Sequence, residues 1–423
     1  MTIMLAGRPD PVMCGCDGAA DALIPVDEAL RRGLALATPV AELETLPLSR
    51  AHGRVLARAL RSRSPLPRFD NSAMDGYALR LADLAGPGPW RLPLAGRIAA
   101  GDAGPPSWPR GSALRILTGA AVPPGCDAVA MQEEAVAAEG AVTFRRRPVA
   151  GENIRRAGED LPAGAPLLPG GRVIDPRAAA VLAAAGMGEV RVRRRVRVAL
   201  FSTGSELREP GERLAPGQIW NANRHHLTGA LALPWVDLLD MGVVPDDPAA
   251  LLSALERAAY GADLVVTTGG ISVGEEDHMP AVLARIGAGI HVMRLAMKPG
   301  KPLTIGQIGG AVYVGLPGNP VSAFVTWHVI GARIAEALAG IAGGGLRKTL
   351  VRAGFARDRV PGRCEFVPAR LMGLDGTGIE VVESLAGSVS HRVALLAGAD
   401  GLVLIPADCD HVGRGDLLEF IPF

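Results

Sequence analysis

The chain has 423 residues, of which 48% are apolar and 21% charged, and this is more than one hydrophobic core of ordinary size can hold. Its 44 basic and 43 acidic side chains leave a net charge of +1, and aromatic residues make up only 4%. We therefore expect a folded protein of two to four domains. The balanced charge argues against a general nucleic-acid binder, and the scarcity of aromatic residues argues against base stacking.

Nothing in the sequence directs the chain out of the cytoplasm. The five cysteines are scattered, without the repeated spacing of a zinc site or a disulfide framework. The first residues lack a basic segment followed by an apolar one, and no apolar run is long enough to span a membrane. We expect a cytoplasmic protein without membrane contact, in which residues 1–20 form an unassigned leader.

The first predicted elements are helices, followed by a polar loop. Asp27 and Glu28 open an apolar-periodic run, and a second run covers residues 40–59. Residues 64–78 contain prolines and polar residues that prevent regular structure, so the polar members of this loop are candidate ligand contacts. They are Asp70, Asn71, Ser72 and Asp75. The alternative is a turn in which these side chains hydrogen-bond to their own backbone.

Short segments separated by glycine and proline come next, and they predict a small β-rich domain. The predicted strands are residues 94–99, 113–118, 128–132 and 141–146. Thr118 ends the second of these strands, and Gly119 after it frees the backbone amides to bend.

From residue 197 onward strands alternate with helices, which predicts an α/β domain with a mostly parallel sheet. Three of its strands run into polar loops rich in glycine and proline. The loops are Ser202-Thr203-Gly204 with Glu206, residues 267–278, and Pro317-Gly318-Asn319-Pro320. Because ligands bind outside the carboxyl ends of parallel strands, we expect the site at these loops.

The second loop and the basic turn after it carry opposite charges. The loop contains Gly269, Gly270, Ser272, Gly274, Glu275, Glu276 and Asp277. Its acids could hold a hard cation, while Lys298 and Lys301 could hold an oxyanion, which indicates a metal together with a phosphate-like substrate. The alternative is that the acids complement a helix dipole and that the two lysines are solvated turn residues. After about residue 345, strands alternate with turns and predict a small β-barrel or sandwich.

Seven short motifs occur in order along the chain. They are residues 70–78, 118–120, 153–160, 202–204, 269–274, 298–302 and 316–320. Together they resemble the molybdopterin molybdenumtransferase family, which includes the bacterial MoeA proteins and the E domain of gephyrin. Each motif is weak alone, but seven in order with similar spacing, from about residue 21 to the C-terminus, are specific.

The resemblance implies an elongated homodimer of four-domain subunits. The implied domains are a split first domain (21–63 and 165–194), an inserted β-rich domain (64–164), an α/β molybdopterin-binding domain (195–344) and a C-terminal β-barrel (345–423). The implied reaction cleaves adenylylated molybdopterin in the presence of molybdate and Mg²⁺. It releases AMP and leaves molybdenum on the dithiolene sulfurs.

The resemblance also assigns roles to residues. The catalytic candidates are Asp75, Thr118, Glu206, Asp246 and Asp277, and the last three are the candidate Mg²⁺ ligands. The candidate substrate contacts are Ser202, Thr203, Gly204, Gly269, Gly270, Ser272, Gly274, Arg294, Lys298, Lys301, Pro317, Gly318, Asn319 and Pro320. Asp75 and Thr118 would reach the α/β domain of the partner subunit, which places the site at the dimer interface.

Two positions depart from the family pattern. Ser205 stands where the family usually has Asp, and Asn221 replaces a second usual Asp, so metal affinity could be lower. Two other functions use the same fold, namely the adenylyltransferase that makes the substrate and a binding scaffold without chemistry. The inserted domain with Asp75 and Thr118 and the C-terminal barrel favour molybdenum insertion over the adenylyltransferase. Retention of Lys298, Lys301, Asp277, Asp75 and Thr118 argues against a scaffold, which needs no anion site. Other enzymes of molybdenum cofactor biosynthesis are possible partners.

Overall fold

The computed structural model describes residues 23–270, 278–385 and 391–423. The chain forms two compact units, one of residues Leu43–Arg193 and one that joins Met1–Glu42 to Arg194–Phe423. The first described helix, α1 (Val26–Leu36), belongs to the second unit. Within the described ranges, no helix is long and apolar enough to cross a membrane.

The Leu43–Arg193 unit consists mainly of short strands and contains one α-helix. Its elements are β1 (Leu43–Pro47), β2 (Leu60–Arg61), β3 (Asn71–Ser72), β4 (Gly76–Leu79), β5 (Trp90–Ile98), β6 (Ala113–Ile116), β7 (Ala128–Met131), β8 (Ala135–Ala138), β9 (Ala141–Phe144), β10 (Ile154–Arg155), β11 (Pro166–Leu168), α2 (Pro176–Ala184) and β12 (Glu189–Arg193). Single 3₁₀ turns occur at Leu48–Arg50, Leu81–Asp83 and Gln132–Glu134. The four strands predicted for the β-rich domain are confirmed as β5, β6, β7 and β9.

Segments from both ends of this unit build one small domain around the insertion. Strand β1 pairs antiparallel with β12, and β2 pairs antiparallel with β11. Leu56 from the first segment packs with Ile174 and Leu182 from the second in a core from which solvent is excluded. The six-stranded sheet β7-β4-β6-β5-β9-β8 lies between these segments in sequence and has cores of its own. A split N-terminal domain with an inserted β-rich domain is therefore the observed fold.

The helix predicted over residues 40–59 is wrong. Part of this stretch forms β1, which is followed by a 3₁₀ turn at Leu48–Arg50. Pro47 cannot donate a helical hydrogen bond, and the pairing of β1 with β12 satisfies the backbone instead. Tertiary pairing thus overrides a weak helical pattern.

The α/β domain is built on one six-stranded sheet. Its elements are β13 (Val196–Thr203), β14 (Leu207–Arg208), β15 (Ile219–Trp220), α3 (Ala222–Leu231), β16 (Val236–Val244), α4 (Pro248–Ala259), β17 (Leu264–Thr268), α5 (Met279–Arg285), β18 (Gly289–Arg294), β19 (Met297–Lys298), β20 (Pro302–Ile308), β21 (Ala311–Leu316), α6 (Pro320–Thr326), a π-helical turn (Trp327–Gly331) and α7 (Ala332–Leu338). The four strands β16, β13, β17 and β21 run parallel, β20 pairs antiparallel with β21, and the edge strand β18 pairs antiparallel with β20. The predicted mostly parallel sheet is confirmed.

The C-terminal strands close into a five-stranded barrel. Its elements are β22 (Thr349–Ala353), β23 (Arg357–Asp358), β24 (Cys364–Leu374), β25 (Glu380–Ser384), β26 (Gly401–Ile405), β27 (His411–Val412) and β28 (Leu417–Pro422), with a 3₁₀ segment at Val393–Gly398. The pairings run from β22 through β28, β26, β24 and β25 back to β22. The predicted C-terminal β-barrel is confirmed, and closure leaves these five strands without an open sheet edge.

Candidate active site

Three of the parallel strands of the α/β sheet end at the same level. In the strand register Ser202 of β13 lies opposite Thr268 of β17, and Thr268 lies opposite Leu316 of β21. The loops that follow these strands therefore begin side by side at the carboxyl edge of the sheet. This is the edge at which parallel sheets bind their ligands.

Glycine allows two of these loops to approach closely. Gly269 has a φ of 84°, and a Cβ placed there would lie 2.2 Å from the carbonyl oxygen of Thr203. A Cβ on Gly318 would lie 3.8 Å from the Cα of Gly269. Across the same region, Asn223 Nδ2 donates a 2.8 Å hydrogen bond to the carbonyl oxygen of Gly318, which ties the start of α3 to the third loop.

A buried chain of hydrogen bonds supports this edge from below. Thr268 Oγ1 donates to Ser202 Oγ at 3.0 Å, and Ser202 Oγ donates to Asn221 Oδ1 at 3.3 Å. Asn221 also caps α3 by accepting from the Arg224 N–H at 3.2 Å. Ser202 is fully buried and takes no part in lining the cavity above it. Its predicted contact with substrate stays a prediction.

The loops enclose a cavity of about 480 Å³. The predicted site residues that line it are Thr203, Gly204, Glu206, Asp246, Gly269, Gly270, Pro317, Gly318, Asn319 and Pro320. Asn221, which the sequence analysis placed at the metal pocket as a replacement for Asp, also lines it, and so do Asn223, Thr268 and Trp220, to which the sequence interpretation assigned no contact. The structure thus brings together residues that lie more than 100 positions apart in the chain.

Two carboxylates belong to this cavity. The Glu206 side chain folds back over Gly204, where a Cβ would lie 2.6 Å from one carboxylate oxygen. Asp246 Oδ1 is buried without a hydrogen-bond partner among the described residues, and so is Thr203 Oγ1. Mg²⁺ typically binds one or two carboxylates together with water and substrate phosphates, and these donors fit that pattern. No group of three or more His, Cys, Asp or Glu side chains suited to a metal occurs in the described part of the chain.

Part of the second loop lies outside the described residues. Ser272, Gly274 and Asp277 belong to that part, as do Glu275 and Glu276. The roles predicted for them therefore stay predictions.

The three basic candidates lie on one turn that adjoins the cavity. Arg294 ends β18, and the backbone N–H of Leu295 donates a 2.6 Å hydrogen bond to the carbonyl oxygen of Lys301, which closes the turn. Lys301 is exposed, and the next residue, Pro302, lines the cavity. Lys298 is half-buried, with its Nζ atom 3.3 Å from Glu365 Oε1.

Glu365 is a residue at this turn that sequence reasoning missed. It lies on β24 of the barrel, and the parallel pairing of β19 with β24 sets it opposite Lys298. The carboxylate is buried and contacts Arg357 Nη2 at 2.7 Å and Arg359 Nε at 3.7 Å. Three cationic side chains thus surround one carboxylate, which leaves a local excess of positive charge suited to anions. No local pattern signals this contact, because 67 residues separate its partners.

The remaining two candidates, Asp75 and Thr118, contact each other in the Leu43–Arg193 unit. Both the backbone N–H and the hydroxyl of Thr118 donate to Asp75 Oδ1, each at 2.7 Å. These two hydrogen bonds lower the pKa of Asp75, and the charge of Arg115 adds to the effect. Asp75 is therefore ionised at neutral pH.

Two other polar residues of that loop follow the alternative of hydrogen bonds to the backbone of the loop. Asn71 Nδ2 donates to the Phe69 carbonyl oxygen at 3.2 Å, and Ser72 Oγ donates to the Met74 carbonyl oxygen at 2.6 Å. Asp70 does not, because it accepts from Arg156 Nη1 at 2.6 Å and from the Ala157 N–H at 2.8 Å, which ties the loop to residues 156–157.

Three family models match the chain in succession. The model described as the MoeA N-terminal region (domain I and II) matches residues 24–186, and the probable molybdopterin binding domain matches residues 199–336. The MoeA C-terminal region (domain IV) matches residues 351–423. The three matched ranges follow the split domain with its insertion, the α/β domain and the barrel.

Relatives match over nearly the whole chain. A molybdopterin molybdenumtransferase of Haemophilus influenzae is 35% identical over 414 residues, which cover 95% of this chain and 99% of the relative. Molybdopterin molybdenumtransferase 2 of Mycobacterium tuberculosis is 36% identical over 385 residues, which cover 89% of this chain and 94% of the relative. The crystal structure of a molybdopterin biosynthesis moeA protein from Pyrococcus horikoshii OT3 is 27% identical, with a TM-score of 0.80, and the match covers 95% of this chain and 100% of that one.

Proposed function

The chain belongs to the molybdopterin molybdenumtransferase family, and from this premise we propose that it inserts molybdenum from molybdate into adenylylated molybdopterin and releases AMP. It is an enzyme of molybdenum cofactor biosynthesis, because relatives that match it almost end to end carry that activity in their names. The details of the reaction, its cation and its assembly are the proposal.

One observation carries the proposal, namely the cavity at the carboxyl edge of the α/β sheet. It combines two carboxylates, Glu206 and Asp246, with glycine-rich loops and an adjoining turn that carries Lys298 and Lys301. Molybdate is a dianion and the substrate contains a pyrophosphate, so a site for both must offset their mutual repulsion. Carboxylates for a cation and lysines for an oxyanion provide the two charges that this requires.

We assign the cation site to Glu206 and Asp246, with Asp277 as the third predicted ligand. Mg²⁺ bound there would offset the charge of the pyrophosphate and polarise its oxygens. Glu206 and Asp246 would bind the cation. The buried hydrogen bonds from Thr268 to Ser202 and from Ser202 to Asn221 stabilise the strand ends next to them. Thr203 and the loop from Pro317 to Pro320 shape the wall against which the substrate would lie.

We assign the oxyanion side to the basic turn. Lys298 is oriented by Glu365, and Lys301 is exposed next to Pro302 of the cavity wall, and we propose that both ammonium groups contact molybdate. Asp75 holds the Thr118 hydroxyl in one orientation. We propose that these two residues complete the site of the partner subunit in a homodimer, which would make activity depend on dimerisation.

The inserted sheet and the barrel favour molybdenum insertion over the two other functions that this fold supports. The adenylyltransferase shares the same type of α/β domain, so the inserted sheet and the barrel are the parts that argue for insertion, and a scaffold has no need of the cations clustered around Lys298. We place the reaction in the cytoplasm, with other enzymes of molybdenum cofactor biosynthesis as candidate partners.

The test is AMP release from adenylylated molybdopterin by the purified protein with Mg²⁺, with and without molybdate. We expect molybdate-dependent release that Asp277→Ala and Lys301→Ala both abolish. Tyr260→Ala, at an exposed residue outside the cavity, serves as the control and should keep full activity. A folded, dimeric protein that releases no AMP would overturn the proposal and favour a scaffold.

A further inference from the structure

The hydrogen bonds between Asp75 and Thr118 determine which donors and acceptors this pair has left for a ligand. The Thr118 hydroxyl donates its single hydrogen to Asp75 Oδ1, and the Thr118 N–H donates to the same oxygen. The hydroxyl oxygen therefore presents only lone pairs to its surroundings, next to an ionised carboxylate. This pair accepts hydrogen bonds or contacts cations, so an oxyanion bound in the same site needs a cationic side chain of its own.

A cation stands next to this acceptor pair. Arg115 lies on β6, the strand that leads into Thr118. Its Nη1 donates to the carbonyl oxygen of Gly76 at 3.2 Å, its Nη2 donates to Gln132 Oε1, and its guanidinium lies 5.0 Å from the centre of the Tyr77 ring. These contacts hold the guanidinium in one place beside Asp75.

Arg115 lacks the ion pair that a comparable arginine in the same β-rich domain has, because Asp75, whose pKa its charge lowers, lies beyond salt-bridge distance. Arg80 is also half-buried and also stacks on an aromatic ring, that of Trp108, and its Nη1 lies 3.5 Å from the carboxylate of Asp83. No carboxylate lies within salt-bridge distance of Arg115 among the described residues. A guanidinium that is partly desolvated without a paired anion is ready to bind one.

The spare donors of Arg115 suit an oxyanion. A guanidinium has five N–H groups in a fixed plane, and the contacts to Gly76 and Gln132 engage only its two terminal nitrogens. Phosphate and molybdate oxygens match this geometry and bind through charge-assisted hydrogen bonds. If the ligand is adenylylated molybdopterin, a hydroxyl or N–H of the same molecule can donate to Thr118, whereas molybdate has no such donor and would contact Arg115 alone.

We propose that Arg115 binds a substrate oxyanion in the site that contains Asp75 and Thr118. The inference rests on the proposed function, and the oxyanion is either the phosphate of adenylylated molybdopterin or molybdate. Arg115 is then a substrate contact that the sequence motifs around Thr118 did not reveal.

The test compares Arg115→Gln, which removes the charge, with Arg115→Lys, which keeps the charge but loses the planar fork. Arg91→Gln is the matched control, because Arg91 lies in the same domain on β5 and forms only an exposed pair with Glu139 at 3.2 Å. Steady-state AMP release is measured twice, once with the organic substrate varied at saturating molybdate and once with molybdate varied at saturating organic substrate. Thermal unfolding of each variant is followed in parallel.

We expect Arg115→Gln to lower kcat/KM by about 100-fold, mainly through KM, since one charge-assisted contact is lost. Arg115→Lys should recover part of this loss, and Arg91→Gln should stay within about twofold of the native protein. A raised KM for the organic substrate alone identifies its phosphate as the ligand, and a raised KM for molybdate alone identifies molybdate. A kcat/KM for Arg115→Gln equal to that of the control overturns the proposal, and so does a loss that merely follows the unfolded fraction.

The proposed function and this inference fail in different ways. A native protein without molybdate-dependent AMP release refutes the proposed function. In that case calorimetric binding of pyrophosphate and of molybdate to the native protein and to Arg115→Gln still tests the inference. Affinities at least tenfold weaker in Arg115→Gln support an oxyanion contact, and equal affinities overturn it.

Discussion

The cavity of the α/β domain and the Asp75–Thr118 pair both lie where strands end, but they are built differently. In the α/β domain three parallel strands end together, and glycines let the loops approach to van der Waals distance. In the β-rich domain a single side-chain pair joins two loops that are 43 residues apart in sequence. The cavity of the α/β domain depends on close backbone contacts between loops. It should therefore tolerate many side-chain substitutions but not a side chain added at the glycines that form these contacts. The Asp75–Thr118 pair depends on individual hydrogen bonds.

The largest effect should follow from Gly269→Ala. The new Cβ would need a position 2.2 Å from the Thr203 carbonyl oxygen, and the residue would also keep a φ of 84°. We expect a loss of about 2–4 kcal/mol in the free energy of unfolding and at least a 100-fold loss of AMP release. Denaturant unfolding and activity assays measure both.

Gly309→Ala is the control that measures the cost of a positive φ at a non-glycine residue without a steric clash. Gly309 has a φ of 58°, and a Cβ there meets no atom within 4 Å. We expect a cost of about 1 kcal/mol and full activity. Equal costs for the two variants would show that close approach of the loops does not hold the cavity together.

As the pH falls, the unit that contains the α/β domain should lose stability at a higher pH than the Leu43–Arg193 unit. Burial, with a contribution from the charge of His328, lowers the pKa of His226 in the α/β domain to about 4. Since an unfolded His titrates near 6.5, the unfolded chain takes up a proton first, and the free energy of unfolding falls from about pH 6.5 down to pH 4, by up to about 3 kcal/mol.

In the other unit, hydrogen bonds from the Ala178 N–H and Arg177 lower the pKa of Asp175 to about 2. Its contribution is kept above pH 4 and lost only between about pH 4 and pH 2.

Hydrogen exchange measured by mass spectrometry from pH 7 to pH 3 checks this order. Peptides of the α/β domain should lose protection first. His226→Phe, which keeps an aromatic ring against Phe324, should remove most of the loss between pH 6.5 and pH 4. His225→Gln, at the exposed neighbouring position, should leave the loss unchanged. Loss of protection in both units at the same pH would contradict the prediction.

The smallest effect on stability is expected from Thr118→Val. It removes the hydroxyl donor, so the pKa of Asp75 should rise toward its ordinary value, while Thr118→Ser should preserve the lowered pKa. NMR titration of the Asp75 carboxyl carbon measures the shift. AMP release should fall by about tenfold in Thr118→Val alone, because its hydrogen-bond acceptor is gone. An unchanged pKa would show that the backbone N–H suffices to stabilise the carboxylate.

The sequence predicts those features whose cause is local. Three strands of the α/β domain run directly into glycine-containing loops, so Thr203, Gly269 and Gly318 could be assigned to one sheet edge before any contact was known. The same reasoning failed for residues 40–59, because the partner strand β12 lies about 145 residues later.

Contacts between segments that are distant in sequence could not be predicted either. Nothing near Lys298 indicates Glu365, and nothing near Asn223 indicates Gly318, since each pair is joined only by folding. Asp75 and Thr118 were both predicted as site residues, but their mutual hydrogen bonds were not. Arg115 carries no motif signal, and its significance comes from the absence of a paired carboxylate among the described residues.

The antiparallel pairing of β1 with β12 brings the two ends of the Leu43–Arg193 unit side by side, so this unit could be excised as a cassette. Leu43 lies opposite Arg193, and next to them the backbone N–H of Arg194 donates a 2.9 Å hydrogen bond to the carbonyl oxygen of Glu42. Entry and exit of the cassette are therefore one hydrogen bond apart, so a short turn could replace all of it without stretching the remaining chain. Such a deletion would yield the α/β domain and barrel in one continuous polypeptide, and the excised cassette could be expressed from the same two cut points.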